Sequence, residues 1–402
     1  MSAPLARLTD AQRFDWLRLI RCENVGPRTF RALLAHCGDA TAALRALPDM
    51  ARRGGASRPL RIAPVEEIER ELEAARRLGV RFIALSEPDY PPALSAIDSA
   101  PPVIALRGRE EALQQPAASI VGSRNASAVG LAFTERLARG IGAGGYVIVS
   151  GLARGIDQRA HVAALDTGTI AVLAGGHARP YPPDAAPLIE RIAQYGAILS
   201  EMPIEWEPRG RDFPRRNRIV SGLSLATIVV EAARRSGSLI TARFANEQGR
   251  VVLAVPGSPL DPRAEGANDL LREGATICAS VADALGALDP MRARERPTFQ
   301  LREPPEAGDG ALWSELDLLG LAVGAASQAA PMLDEGDSID RVEGPGDVRA
   351  RIMALLGPSP APVDEIARAA GAPIREVQAL LIELELAGRL ERVGGNRVAL
   401  LP

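Results

Sequence analysis

Two short apolar runs, residues 118–121 and 146–150, each stop at a glycine and give way to a polar loop. Between them, residues 126–142 carry Val129, Leu131, Phe133, Leu137 and Ile141 at helical spacing, so the stretch reads strand, loop, helix, strand. Parallel strands joined by a crossover helix place both following loops at the carboxyl edge, where open α/β sheets bind ligands. Each of these loops carries an arginine, in Gly122-Ser123-Arg124 and in Gly151-Leu152-Ala153-Arg154-Gly155. The alternation continues to about residue 288, with further strands expected over 169–173, 197–200, 226–230 and 251–255. Helices are expected near 157–166, 184–195, 214–223, 239–248 and 265–272. These strands are nearly all apolar, as strands buried between two helical layers must be, which predicts an α/β, doubly wound parallel sheet.

The flanks read differently. Residues 1–60 suggest short helices with a Val25-Gly26-Pro27 turn, part of a small all-α module over 1–79 of the SAM or helix-hairpin-helix kind. Its turn could hold a phosphate or simply join two helices. A helix over 64–78 and short strands over 80–85 and 102–106 lead into the α/β domain, taken as 80–288. Residues 289–346 lose periodicity and collect Pro, Gly, Asp and Glu, which reads as a flexible linker with one helix at 311–319. Order returns over 347–402, where three helices (347–356, 362–370, 373–387) and a hairpin (389–393, 397–401) make a C-terminal winged helix.

Composition removes several classes of function. All 47 basic residues among the 402 are arginine, so neither a Walker A loop nor a Schiff-base enzyme can be built, because both need a lysine amine. The net charge of −3 supplies no global basic field, and any anion site must be local. Cys22, Cys37 and Cys278 are scattered and only three histidines could assist them, so no metal site, disulfide framework or cofactor is expected. A reduced, cytoplasmic setting fits, with no signal peptide and no apolar stretch long enough to span a membrane.

The glycine spacings of both arginine loops are wrong for a dinucleotide fingerprint or a P-loop. What the loops offer is backbone NH groups at helix N-termini beside a guanidinium, a seat for phosphate. The densest signal is Glu207–Arg218, in which five arginines within ten residues surround Phe213 in a chain with only 3% aromatics. Arginines that follow a backbone, with a ring for a base to stack on, are what single-stranded nucleic-acid sites require. Arg234-Arg235-Ser236-Gly237-Ser238 is another anion-friendly helix start, although Ser236 or Ser238 serves equally as an N-cap.

These motifs resemble the DNA-processing protein A (DprA, also called Smf) family. The similar stretches are SIVGSRNASAVG (119–130), VSGLARGID (149–157) with Ala160-His161, 168–173 with Tyr181-Pro182, Ser200-Glu201, FPRRNRIVSGLS (213–224), VEAARRSGSLITA (230–242) and 254–258. Where the family usually shows Gly-Cys-Gly after the third strand, this chain has Ala174-Gly175-Gly176. The resemblance implies an extended Rossmann-type fold, sequence-independent binding of single-stranded DNA, homodimerisation, and protection of incoming transforming DNA with its delivery to the RecA recombinase. It places the DNA pocket on Gly122, Ser123, Arg124 and Phe213, with neighbouring arginines as helpers. The expected nucleic-acid-binding set is therefore Gly122, Ser123, Arg124, Gly151, Arg154, Arg211, Phe213, Arg216, Asn217 and Arg218, with no catalytic residue.

Two rivals are open. A Rossmann-type nucleotide phosphoribohydrolase could use Glu201 and Glu231 as acid and base, but its PGGxGT-type loop is absent and the Phe-Arg cluster would have no work on a mononucleotide. A transcription regulator would act through the winged helix. There, residues 347–402 hold seven arginines against seven acids, and the 373–387 helix sets Arg375 against Glu376, Glu383 and Glu385. Phosphate neutralisation supplies most non-specific affinity, so this module should bind duplex DNA poorly and act through protein contacts, with Ile374, Arg375 and Gln378 the only groove readers.

Overall fold

The apolar strands fold as one nine-stranded sheet in the order β1-β2-β6-β5-β4-β3-β7-β8-β9. The protein is described by a computed structural model covering residues 7–295, 348–393 and 396–401. Three helices come first, α1 (Asp10–Ile20), α2 (Pro27–Cys37) and α3 (Ala40–Arg53), then α4 (Val65–Arg77). β1 (Arg81–Ala84), α5 (Pro92–Ser95) and β2 (Val103–Gly108) precede the alternating region of β3 (Ala117–Val121), α6 (Ala128–Ala143), β4 (Val147–Ser150), α7 (Ile156–Ala163) and β5 (Thr169–Val172). It continues through α8 (Ala186–Tyr195), β6 (Ala197–Ser200), α9 (Asp212–Gly222), β7 (Ala226–Val229), α10 (Gly237–Glu247), β8 (Val251–Ala254), α11 (Glu265–Arg272), β9 (Thr276–Ile277) and α12 (Val281–Glu295).

Strands β3 to β9 are parallel throughout, while β1 and β2 add antiparallel pairings at one edge. Alternate residues feed different cores: Val147 and Val149 of β4 join one buried cluster, and Ile148 joins the cluster on the other face. This period of two, with both faces buried, is the doubly wound arrangement that the apolar strands predict. From β3 the chain winds outward through β4, β5 and β6, then returns across the sheet to pair β7 with the other side of β3. The switch point between β3 and β7 is where an open α/β sheet leaves a crevice at its carboxyl edge.

The chain divides into two compact units, one holding the sheet from Glu66 onward and the other combining the residues up to Val65 with the winged helix. By this division α4, all but its first residue, groups with the sheet unit. In the winged helix, helices Val348–Leu355, Val363–Ala370 and Ile374–Leu386 support a three-stranded sheet of Ala361–Pro362, Leu390–Val393 and Arg397–Leu400. Helix α12 runs seven residues past the expected end of the α/β domain, although Pro290 stands inside it. Burial of Leu288 and the Tyr146 hydroxyl donating to Asp289 at 2.6 Å hold it to the sheet unit. The exposed two-residue strand β9 was beyond any periodicity signal, and the helix expected at 311–319 lies outside the described residues.

Candidate nucleic-acid interface

The loops after β3 and β4 interlock. Gly155 has φ +80°, and any Cβ there would stand 2.3 Å from the Ser123 carbonyl oxygen. A Cβ on Gly122 would lie 2.7 Å from Ile156 Cγ1, so only glycine admits this approach. Ile156 N donates to Ser123 O, and Asn125 N to Ser123 Oγ at 3.1 Å, which fixes the turn that leaves Arg124 exposed. Ser127 caps α6 by accepting from Gly130 N at 2.9 Å, and Glu231, following β7, accepts from Ser127 N at 2.9 Å and Ser127 Oγ at 2.5 Å. The switch-point loops are thereby joined by the Glu231 carboxylate.

Beneath the second loop lies a buried pair. Asp157 Oδ2 accepts from Gly151 N (3.2 Å) and Ala153 N (3.3 Å). Burial pushes its carboxyl up to about 6, against the opposing pull of the Arg216 guanidinium and these two amides. Burial also lowers Arg216, to about 10, against the pull of Asp157. Arg216 Nη1 donates to Gly151 O and Val172 O, so one guanidinium ties α9 to the ends of β4 and β5. His161, also buried, accepts no proton near neutrality: burial lowers it to about 3. Thr169 Oγ1 already donates to Ile148 O, so His161 Nδ1 is the donor in its 2.7 Å contact with that hydroxyl.

Above these groups opens a cleft of about 660 Å³. Helix α9 contributes Phe213, whose ring meets Tyr181 edge-on with centroids 5.3 Å apart, and the Arg124 guanidinium stands 5.7 Å from the Phe213 centroid. On the far wall Asn217 Nδ2 donates to Gly237 O at 3.1 Å, anchoring the start of α10, where Ser236 is the N-cap that accepts from Ser238 N. Arg235, exposed, completes that wall. A guanidinium, a pair of rings and two helix N-termini thus share one opening, a combination suited to a phosphate chain with attached bases.

The family model described as DNA recombination-mediator protein A matches residues 81–289 of this chain. Residues 10–74 match the DprA-like N-terminal HHH domain, and 340–396 the DprA winged helix domain. This chain belongs to the DNA-processing protein A (DprA/Smf) family. Protein Smf of Synechocystis sp. is 30% identical over 97% of this chain and 99% of its own length. Protein Smf of Escherichia coli is 36% identical over 84% of this chain and 82% of its own. The X-ray structure of DNA processing protein A from Streptococcus pneumoniae superposes with a TM-score of 0.59 at 33% identity, covering 70% of this chain and 99% of that one.

In this DprA/Smf chain, seven of the ten residues expected from sequence line the cleft: Gly122, Ser123, Arg124, Gly151, Phe213, Arg216 and Asn217. Arg216 does so from below, buried to 7% exposure in its backbone bonds. The other three are not brought there. Arg154 is exposed and pairs with Asp184 at 3.1 Å. Arg211 is exposed at the start of α9 and outside the lining. Arg218 faces inward, bonded to Glu201 and Ser99 O. Helical spacing explains the split: Phe213, Arg216 and Asn217 stand three and four apart on one face, and Arg218 turns away from it. Tyr181, Asp157, Arg235 and Ser238 line the cleft without having been named as contacts. The signal for Arg235 and Ser238 was the anion-friendly helix start, but placing it here required β7 to be beside β3. Among the described residues no helix is long and apolar enough to cross a membrane, and no three His, Cys, Asp or Glu side chains cluster as metal ligands.

Proposed function

We propose that this cleft binds single-stranded DNA without sequence preference, and that the protein is a non-enzymatic mediator that protects incoming transforming strands and loads RecA on them. The observation that carries the reading is the joint placement of Arg124, Phe213 and Tyr181 at the mouth of the cleft, where phosphate and base would be met together. Contacts of this kind grip a backbone and the face of any base, whereas sequence readout needs side-chain forks aimed at base edges. Gly122, Ser123 and Arg124 would take phosphate, Phe213 and Tyr181 would stack, and Arg154 and Arg211 would act only as outlying charges. Family membership supports the RecA hand-off and homodimerisation, which the cleft geometry does not address.

The hydrolase reading is weakened by what its two acids do. Glu201 is 8% exposed and held by Arg215 and Arg218, and Glu231 is spent on the α6 N-terminus. The deciding experiment is a salt titration of binding to single- and double-stranded oligonucleotides, run beside a nucleotide-hydrolysis assay and a measurement of RecA nucleation on single strands. Preference for single strands, no hydrolysis and faster RecA nucleation are expected. Nucleotide turnover that depends on Glu201 or Glu231 would replace this reading with the enzymatic one.

A further inference from the structure

The third helix of the winged helix, Ile374–Leu386, is buried on two faces. Val377, Leu380, Leu381 and Leu384 belong to the core of the winged helix itself. Ile382 and Leu386, 2% and 1% exposed, stand outside that cluster, with Glu383 beside them at 7%. At about 100° per residue they fall on the opposite side of the helix. What covers them is the N-terminal module, for α2 and α3 both pack on this helix.

The contact is built rather than grazing. The Glu383 carboxylate is held from both sides, by Arg53 Nε at 2.7 Å and by Arg349 Nη1 at 2.6 Å, and Arg349 also donates to Arg53 O. A Cβ on Gly54 would lie 1.9 Å from Glu383 O, so the end of α3 rests directly on the backbone of the third helix. Gly54 has φ −67° and ψ −10°, an ordinary helical conformation; space, not backbone geometry, demands a glycine there. Asn24, on the turn before α2, donates from Nδ2 to Leu386 O at 2.9 Å, one of the last-turn carbonyls that a helix leaves without a partner.

Winged helices of the helix-turn-helix kind read duplex DNA by laying the third helix in the major groove, and a turn that opens a helix can seat a phosphate on the helix N-terminus. In this chain those two features are turned on each other. We infer that Ile382, Glu383 and Leu386 form a docking surface for the chain's own α2 and α3, and that the third helix is closed to duplex DNA while they are docked. Only its first turn and a half, with Ile374, Arg375, Glu376 and Gln378, is left exposed, and there the cation Arg375 is followed in sequence by the acid Glu376.

The test uses the full chain. Gly54→Leu drives a side chain into the Glu383 carbonyl, with Gly357→Leu, at a glycine with open space around it, as the control. Hydrogen exchange over 379–387 should speed up about tenfold or more in Gly54→Leu, while the control and the sheet unit stay as in the parent. Should Gly54→Leu fail to fold, Arg53→Glu, whose side chain is 59% exposed, should give about a threefold acceleration in the same segment. Unchanged exchange in the folded variant overturns the docking, and protection that depends on protein concentration assigns the surface to a second copy instead. Arg375→Ala with Gln378→Ala should leave duplex binding within twofold of the parent. A fivefold or greater loss would show that the docked helix reads DNA and would overturn the closure.

Discussion

Helix α9 and the third helix of the winged helix use their charges alike and their outer faces differently. Each buries charged side chains in contacts of the protein's own: Arg216 and Arg218 are consumed by loop carbonyls and Glu201, and Glu383 by Arg53 and Arg349. Yet α9 opens Phe213 and Asn217 onto a cleft with Arg124 exposed above the ring, whereas the other helix presses Ile382 and Leu386 onto packed helices. The composition of a helix does not make it an interface. What its outer face meets does, and burial then decides which charges remain for a ligand.

Breaking the buried pair under α9 should give the largest effect. Arg216→Ala leaves Asp157 without its charge partner and frees the ends of β4 and β5, so a loss of about 3–5 kcal/mol in urea unfolding is expected. A loss under about 1 kcal/mol would return Arg216 to the role of a DNA contact. The pH dependence of the pair follows from Asp157. Its carboxyl lies at about 6 in the folded chain against an ordinary 3.8, so between these values the native state holds the proton that the unfolded chain has released. Stability from this group is therefore greatest near pH 4 and falls as pH rises through 6, by up to about 3 kcal/mol. Asp157→Asn should lack that fall, and parallel stability–pH curves for parent and variant would refute it.

At the cleft mouth the effects are smaller and separable. Phe213→Ala should cost about 1–3 kcal/mol of single-strand affinity without changing its salt dependence, since stacking releases no counterions. Arg124→Ala should flatten the salt slope by about 0.7 for each phosphate that is no longer neutralised. If both variants fold and bind as the parent does, the site lies elsewhere. Smallest of all, Arg154→Ala and Arg211→Ala, outside the lining, should stay within about twofold of parent affinity at moderate salt. A loss matching that of Arg124→Ala would extend the DNA path beyond the cleft.

The sequence alone determined the sheet and most of its strands, because a strand covered on both faces must be apolar along its whole length and a crossover helix must show a period near 3.6. It also singled out Gly122-Ser123-Arg124 and Phe213, since glycines at close loop contacts and a rare ring among arginines are local features. Only the tertiary structure decided which arginines face solvent. Arg211, Arg216 and Arg218 look alike in sequence, and packing separates an exposed charge from a loop staple and an inward ion pair. It likewise brought Arg235 and Ser238 to the cleft, through the pairing of β3 with β7 across 107 residues of chain from Ser119 to Ala226. The docking of α2 and α3 on the third helix of the winged helix had no local sign either. Ile382 and Leu386 have the same apolar character as the core residues around them, and a sequence does not say which neighbour covers a second apolar face.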